Sequence, residues 1–391
     1  MQRVLIYHKQ MTSFLSGGMF QPLMFIAELQ KKCEVTLALN GNADMKAVSE
    51  MSGIPIDVER LRVVRLDPES RFVVRREWLA SILRTRRLKK LAKDADVCIS
   101  TANVMDFGRP GHHFLYLLSQ FGGAAFYDYI MGRGGGFGPR RIMRRIGTAF
   151  YENVVKPLCG VRPLRRIFAD RRESIYPTSA YVERIVRGYF GPFNSRIFYP
   201  PTTFEFDGAS VARDPLLAIY VGRLFAPKKI TDIVAIVERA RALSGMDLKL
   251  HIAGKLMDIP YTGVLKKLAA DRPWMKLAGA VYGDDKKKFM LSATYALHAE
   301  RDEAFGIAVA EYMKAGCIPL VPDVGGPAEI VGIGDLQFCE NETAAQTLSR
   351  LLRDDSFREK QRRLCAARAV DFTIGAYKER QRKAIEEMLG K

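Results

Sequence analysis

The chain of 391 residues is 48% hydrophobic and 27% charged, a globular composition that excludes disordered, collagen-like and fibrous proteins. At roughly 100–200 residues per domain, this length predicts two or three domains. The sequence contains no apolar run of 18 residues, which argues against a transmembrane helix. Six scattered cysteines without a CxxC pair argue against a disulfide framework or a zinc site.

The positive charge is concentrated in the first half of the chain. The formal net charge is +18, and residues 1–200 contain 32 basic and 17 acidic side chains. A basic surface attracts nucleic acid, anionic lipid or a phosphorylated substrate. A general basic bias unrelated to binding is the alternative explanation.

The first half reads as strands alternating with helices. Residues 2–8 predict a buried strand and lack the long apolar stretch and cleavage site of a signal peptide. The scattered cysteines indicate reduced thiols, so we expect a cytoplasmic protein. A loop at Gly17-Gly18 and a helix over 20–32 follow. The later predicted strands are 35–39, 97–100 and 124–127. This alternation is typical of a parallel α/β sheet.

Two segments of the first half are strongly basic. Residues 78–93 predict a helix with Trp78, Leu79 and Ile82 opposite a run of Arg and Lys. Such a helix either lies on an anionic bilayer or packs in the core with a solvated basic face. Residues 131–172 contain 11 basic and two acidic side chains, and their glycine run 132–138 predicts a loop above the first sheet. This run is neither a Walker A motif nor a dinucleotide fingerprint.

A second α/β series begins after a proline-rich break at Tyr199-Pro200-Pro201 and a polar linker over 206–215. The predicted strands are 217–222, 248–254, 296–298 and 318–321, with a helix over 231–244 and helices across 343–390. Two doubly wound parallel-sheet domains facing a cleft are the expected architecture, with ligands at the carboxyl ends of the strands.

Two glutamates flank a predicted helix start in the second half. A helix beginning near Gly306 places Glu303 just before it and Glu311 on its second turn. Both carboxylates can then face one ligand at the helix N-terminus, where backbone N–H groups attract phosphate or sugar hydroxyls. Two spaced glutamates also occur as plain surface charges.

The motifs around these glutamates form an ordered set. It comprises Val221-Gly222-Arg223-Leu224 with Lys228, His251-Ile252-Ala253-Gly254, Glu303 to Glu311 with Met313 and Gly316, and Gly325-Gly326 with Glu329-Ile330-Val331. The set resembles the retaining glycosyltransferases of family 4, which have the GT-B fold. The resemblance covers about 216–335 and extends more weakly into the first half through Gly17-Gly18 and Tyr199-Pro200-Pro201.

The resemblance implies the domain organisation. An acceptor-binding Rossmann-like domain would span 1–205 together with a C-terminal helix at about 373–391. A donor-binding Rossmann-like domain would span 206–372.

The resemblance also implies roles for individual residues. Arg223 and Lys228 would neutralise the donor diphosphate, and Glu303 would hold hydroxyls of the transferred sugar. Glu311 would bind the ribose. The backbone contacts to sugar and phosphate would come from Phe305, Gly306 and Ile307, and the glycines of the donor site would be Gly17, Gly18, Gly222 and Gly254.

The sequence departs from many relatives at one position. A histidine is expected after a strand of the N-terminal domain, and Asp128 stands there. Asp128 could contact the sugar or the acceptor, act as a general base, or cap a helix. His112 and His113 are the rival candidates, and we expect His8, His251 and His298 to be structural.

The expected function is therefore retaining transfer of a hexose, with GDP-mannose as the favoured donor and UDP-sugars open. No metal and no other cofactor are expected. The basic first domain suits a lipid-linked, polysaccharide or lipopolysaccharide acceptor and peripheral attachment to the inner face of the cell membrane. The alternatives are a nucleic-acid-binding α/β protein, although no nucleic-acid-binding motif is present, and a catalytically inactive GT-B partner protein.

Overall fold

The computed structural model describes residues 1–11, 17–68, 70, 73, 75–115, 139–202, 205–206, 212–257 and 259–390. The chain divides into two compact units. The first comprises Met1–Pro200 and Lys378–Lys391, and the second comprises Pro201–Tyr377. Among the described residues, no helix is both long and apolar enough to cross a bilayer.

The first unit is built on a parallel sheet. Its strands β1 to β6 are Gln2–His8, Cys33–Leu39, Arg62–Arg65, Val97–Ser100, His112–Leu115 and Ser174–Pro177. In the described part of the chain their order is β3-β2-β1-β4-β5-β6. Strand β1 lies at the centre, where Ile6 pairs with Leu37 on one side and Ile99 on the other. Both faces of β1 are buried, which explains why it reads as a continuous apolar run.

The helices α1 to α6 of this unit are Gly17–Leu29, Met45–Ser52, Glu77–Ala92, Pro139–Phe150, Leu164–Ala169 and Ala180–Phe190. A π-helical turn at Tyr151–Val155 and a short turn at Lys156–Leu158 continue α4. Helix α1 starts at Gly17, so Gly17 and Gly18 belong to its first turn and not to the predicted loop. The predicted strand at 124–127 and the glycine run 132–138 lie outside the described residues.

Helix α3 packs its apolar side into the first unit. Leu88 is fully buried in a core cluster with Leu5 and Phe107. Arg84 is also buried, and its guanidinium binds Asp67 at 2.6 Å. The alternative of a core-packed helix with a solvated basic face is therefore the one that the structure supports for this segment.

The second unit contains a second parallel sheet. Its strands β7 to β12 are Asp214–Val221, Lys249–Ala253, Met275–Gly279, Ala293–Leu297, Ile318–Pro322 and Gln337–Phe338. Its helices α7 to α13 are Ile230–Ser244, Ile259–Ala270, Gly283–Leu291, Ile307–Lys314, Gly326–Val331, Asn341–Arg353 and Asp355–Ala369. The last helix, α14, is Ile374–Met388; it begins in the second unit, and its residues from Lys378 onward belong to the first. Short 3₁₀ turns lie at Ala226–Lys228, Gly334–Leu336 and Val370–Phe372.

The strand order of the second sheet reverses beside β7. Over the described residues it is β12-β11-β10-β7-β8-β9, so the chain first runs outward from β7 and then returns to place β10 on the other side of β7. Such a reversal leaves a crevice outside the carboxyl ends of the two neighbouring strands, where α/β sheets bind their ligands. We therefore expect a ligand-binding site at the carboxyl ends of β7 and β10.

Candidate functional site

Most of the polar motif residues lie in the segments that directly follow strands β7 and β10. Gly222 and Arg223 directly follow β7, and the segment from His298 to Glu303 follows β10. The two strands are paired, with Tyr295 opposite Ala218 and a shift of register between Ala293 and Tyr295. Because both are parallel and adjacent, residues 75 positions apart in sequence meet at one edge of the sheet.

An ion cluster occupies this edge. Lys228, at the end of the 3₁₀ turn after β7, donates hydrogen bonds to carboxylate oxygens of both Glu300 and Glu303. All three side chains are largely buried, with exposed fractions between 12% and 22%. One ammonium group thus faces two carboxyl groups, and the cluster carries an excess negative charge only when both are ionised.

The two carboxylates are electrostatically different. Burial and the neighbouring Glu303 carboxylate raise the pKa of Glu300 to about 7. Burial also acts to raise the pKa of Glu303, but the attraction of Lys228 outweighs it and holds that pKa below its ordinary value. The same pair of carboxylates raises the pKa of Lys228, against the effect of its burial. Near neutral pH, Glu300 is the member of the cluster that can exchange a proton.

His298 lies beside the cluster and is not the satisfied structural histidine that the sequence suggested. Its side chain is buried, and its Nε2 has no hydrogen-bond partner among the described residues. Burial lowers its pKa to about 4, so the imidazole is neutral at physiological pH. A neutral, unpaired ring nitrogen in a buried polar site is a group that a ligand hydroxyl could satisfy.

The ligand atoms of His298, Glu300 and Glu303 lie within 4.8 Å of one another, a spacing that could hold a metal ion. Lys228, however, is bonded to both carboxylates. A divalent cation would have to displace an ammonium group that occupies the same oxygens. The described arrangement is therefore an ion-pair cluster and not a preformed metal cage.

Helix α10 begins next to Glu303. Gly306 caps it with φ +93°, a left-handed conformation that a residue with a side chain adopts only under strain. Phe305 is buried against Phe372, with ring centroids 6.0 Å apart. The hydroxyl group of Tyr312 accepts a 2.6 Å hydrogen bond from the N–H of Val221, which fixes α10 to the end of β7. These contacts hold the N-terminus of α10 at the crevice.

Glu311 points into the protein. It is fully buried, and its carboxylate accepts a 2.7 Å hydrogen bond from the ammonium group of Lys286 in α9. The structure therefore pairs Glu311 with a lysine that the motif analysis did not single out. A ribose contact by Glu311 would have to share the carboxylate with Lys286.

The site glycines have packing roles of their own. A Cβ at Gly254 would lie 1.7 Å from the carbonyl oxygen of Gly222, so the loops after β7 and β8 can approach only without a side chain there. The N–H of Gly326 donates to the carbonyl oxygen of Glu303 at 2.8 Å. The Gly325-Gly326 motif thus supports the loop that carries Glu303.

Arg223 is exposed at the rim of the crevice. Its guanidinium lies over the ring of Phe225, 5.1 Å from the centroid. Among the described residues, no carboxylate lies within ion-pair distance of it. This cation is therefore available to an anionic ligand.

Most of the residues predicted for the first unit are described within that unit. Asp128 is outside the described residues. Gly17 and Gly18 form the first turn of α1. His112 and His113 stand at the amino-terminal end of β5, the edge opposite to the one where parallel sheets bind ligands. The two rival histidines are therefore poorly placed for the role.

His113 also belongs to a buried structural network. Its Nε2 lies 2.9 Å from Glu173, and both side chains are inaccessible to solvent. Glu173 also accepts a hydrogen bond from Arg162 at 2.8 Å, and Arg162 binds Asp106 at 2.7 Å. His112 lies 3.2 Å from the hydroxyl group of Tyr176.

Residues 203–368 match the family model described as glycosyl transferases, group 1. The second unit is thus similar to the group 1 glycosyl transferases. The matched segment contains the whole ion cluster and the N-terminus of α10. No curated protein sequence matches the chain.

Several solved glycosyltransferase structures share the fold. HepE of Anabaena, solved with UDP and glucose, has a TM-score of 0.67 at 13% identity, covering 99% of this chain and 100% of its own. WaaG, a glycosyltransferase of lipopolysaccharide biosynthesis, has a TM-score of 0.65 at 16% identity, covering 99% and 100%. Sucrose-phosphate synthase of Thermosynechococcus elongatus has a TM-score of 0.70 at 12% identity over 100% of both chains. The expected GT-B-type α/β fold, with two parallel six-stranded sheets, is confirmed.

Proposed function

We propose that this protein is a retaining glycosyltransferase that moves a hexose from a nucleotide sugar to a glycan acceptor. The observation that carries the proposal is the convergence of Lys228 and Glu303 at the strand reversal of the second sheet. It lies within the segment that matches the group 1 glycosyl transferases. The similarity to solved glycosyltransferase structures supports the fold on which the proposal rests.

The donor diphosphate would bind between Arg223 and Lys228. Arg223 is exposed and carries a planar guanidinium suited to bidentate phosphate binding, whereas Lys228 acts as a point charge. Lys228 would exchange a carboxylate partner for a phosphate oxygen. Two cations aimed at the leaving diphosphate stabilise the charge that develops there as the sugar departs.

The transferred sugar would lie against the cluster. Glu303 would accept hydrogen bonds from sugar hydroxyls, and the backbone N–H groups at Phe305, Gly306 and Ile307 would contact sugar and phosphate. Gly222 and Gly254 would let the donor approach the loops after β7 and β8. Glu311, with Lys286, would hold the ribose end of the nucleotide.

The first unit would bind the acceptor, with Gly17 and Gly18 near the donor phosphates and Asp128 near the reacting sugar. We propose front-face substitution with retention. The bond between the anomeric carbon and the donor phosphate oxygen breaks, the acceptor oxygen bonds to the same face of that carbon, and the departing phosphate takes the acceptor proton. Because Arg223 and Lys228 supply the positive charge, we propose that neither a metal nor another cofactor is needed.

The favoured donor is GDP-mannose, with UDP-linked hexoses as the competing choice. HepE was solved with UDP and glucose, which keeps UDP-sugars in the test. A lipid-linked, polysaccharide or lipopolysaccharide acceptor suits the basic first half of the chain, and so does a cytoplasmic protein held at the inner face of the membrane.

A thermal-shift screen of the purified protein with GDP, UDP, ADP and their sugar conjugates tests the proposal. We expect one nucleotide and its sugars to raise the melting temperature, with and without EDTA, and Lys228→Ala to abolish the shift. Stabilisation by DNA or RNA with no response to any nucleotide would contradict the proposal and favour the nucleic-acid alternative. Donor binding without sugar transfer to any membrane or polysaccharide extract would favour the inactive-partner alternative.

A further inference from the structure

Helix α4 exposes its apolar side to solvent, which is unusual for a helix of a globular protein. Several of its large apolar side chains are exposed, including Met143 at 68%, Ile146 at 58% and Phe150 at 58%. At 100° per residue, Ile142, Ile146 and Phe150 lie on one side of the helix. A helix of a soluble domain turns such a side toward the core.

The side of α4 that faces the protein is the more polar one. A groove separates it from the body of the first unit, with Arg145, Thr148 and Glu152 on the side of α4 and Leu164, Arg165 and Tyr189 opposite. Over the described residues, the apolar side therefore faces away from the groove and is exposed to solvent.

The exposed apolar surface continues beyond α4. Leu158, two turns later, is 82% exposed. The hydroxyl group of Tyr151 donates to the carbonyl oxygen of Trp78 at 3.0 Å, and the indole of Trp78 is itself half exposed. We call the side chains of Trp78, Met143, Ile146, Phe150 and Leu158 the apolar surface of α4. An exposed indole is a side chain that suits the boundary between lipid and water.

The charge around this surface selects its partner. The segment 131–172 has 11 basic and two acidic residues, and Arg140, Arg141, Arg144 and Arg145 alternate in sequence with the apolar positions of α4. We propose that the apolar surface of α4 inserts into the interfacial region of a bilayer containing anionic lipid. In interfacial helices generally, arginine side chains can remain at the headgroups while apolar side chains enter the acyl region.

This assignment changes which element meets the membrane. Helix α3, the amphipathic helix that the sequence singled out, buries Ile82 and Leu88 in the core and contributes Trp78 alone to the surface. The proposal rests on the proposed function only where it concerns the acceptor: binding at the bilayer would bring the enzyme to a lipid-linked substrate. Attachment itself requires no catalysis.

Vesicle co-sedimentation tests the proposal. The probes are vesicles of phosphatidylcholine alone and of phosphatidylcholine with 30% phosphatidylglycerol, and the variant is Ile146→Glu with Phe150→Glu. We expect the wild-type protein to bind the anionic vesicles. The variant should bind them on the order of tenfold more weakly, or not at all, because two apolar anchors are lost. Its melting temperature and its response to nucleotides should not change, since both side chains are exposed.

The matched control is Met51→Glu with Val63→Glu, two exposed apolar residues of the same unit with the same change of charge. We expect this control to retain most of the binding. Equal binding by both double variants would show that charge alone attaches the protein and would overturn the proposal. Failure of the wild-type protein to bind either kind of vesicle would also overturn the proposal. This includes the case in which sedimentation velocity shows that the protein self-associates through this face. Vesicle binding without any nucleotide response would instead contradict the proposed function and leave this inference standing.

Discussion

Lys228 stands between two carboxylates, and a bound diphosphate would have to compete with both. Glu303 is held ionised by Lys228, whereas Glu300 has a pKa raised to about 7 by burial and by Glu303. His298, the other titratable group beside Glu300, is neutral because burial lowers its pKa to about 4. The protonation of Glu300 therefore sets how strongly Lys228 is held away from the donor.

The first prediction concerns pH. As the pH rises through 7, Glu300 ionises, pairs more strongly with Lys228 and repels the diphosphate. We expect nucleotide-sugar affinity to fall several-fold between pH 6 and pH 8 in the wild-type protein and to change much less in Glu300→Gln. Isothermal titration with a nucleotide sugar measures this directly, because its diester diphosphate does not titrate in that range. Identical pH profiles for the two proteins would contradict the assignment.

The raised pKa of Glu300 also predicts how the stability of the protein changes with pH. An unfolded Glu300 ionises near pH 4.5, whereas the folded one keeps its proton up to about 7. The free energy of unfolding contributed by this group is thus lost as the pH rises from 4.5 to 7. Glu300→Gln should show a smaller loss of melting temperature over that window than the wild-type protein.

The second residue-scale prediction concerns the sugar contact. Glu303→Gln keeps the shape of the side chain and removes its charge, so we expect kcat to fall by about 100-fold or more while the melting temperature changes little. Glu342→Gln is the control, because Glu342 forms an exposed ion pair with Arg239 outside the cluster. Near-normal transfer by Glu303→Gln would remove Glu303 from the site.

At the scale of elements, the crevice depends on backbone contact between the loops after β7 and β8. Gly254 meets the carbonyl oxygen of Gly222 where any Cβ would overlap it. Helix α10 is anchored to the same strand end through Tyr312 and Val221. Close packing at Gly254 and Tyr312 therefore sets the positions of Arg223 and of the N-terminus of α10.

This packing predicts opposite outcomes for two glycine substitutions. Gly254→Ala should lower the melting temperature by several degrees and weaken nucleotide binding, because the loops after β7 and β8 must separate. Gly263→Ala, within α8 and with no atom within 4 Å of its Cβ, should be neutral or stabilise by about 0.5–1 kcal/mol. Thermal melts of the two variants provide the comparison. A Gly254→Ala protein as stable as the wild type would refute the close approach.

At the scale of the whole molecule, the positive charge is separated from the proposed donor cluster. The first 200 residues carry most of the net charge of +18, whereas the Lys228 cluster has more carboxylates than ammonium groups. Long-range attraction of polyanions and local binding of a nucleotide sugar should therefore respond differently to salt.

We expect binding of DNA or heparin to weaken by at least tenfold between 50 and 300 mM NaCl, because it depends on released counterions. The melting-temperature shift caused by the nucleotide sugar should fall much less, since its contacts are short and partly buried. Fluorescence anisotropy and thermal shift measured in the same salt series separate the two. Equal salt sensitivity would indicate that nucleotides bind to the general basic surface.

The sequence by itself determined the alternation of strands and helices, and the motif order located the segment that matches the group 1 glycosyl transferases. These features are readable because hydrogen bonding within helices, side-chain alternation in strands and motif spacing are local properties of the chain. Strand β4 has the predicted bounds, and helix α7 begins one residue before its predicted start. The spacing of Ile142, Ile146 and Phe150 is also a local property of the chain, whereas their exposure is not.

Only the tertiary structure decided how distant groups meet and which faces remain uncovered. Lys228 finds Glu300 and Glu303 because β7 and β10, far apart in sequence, are neighbours in the sheet. His113 is committed to Glu173, and Nε2 of His298 is left without a partner among the described residues. Helix α3 is buried and α4 exposed although both are amphipathic, because burial depends on what the rest of the chain packs against each face.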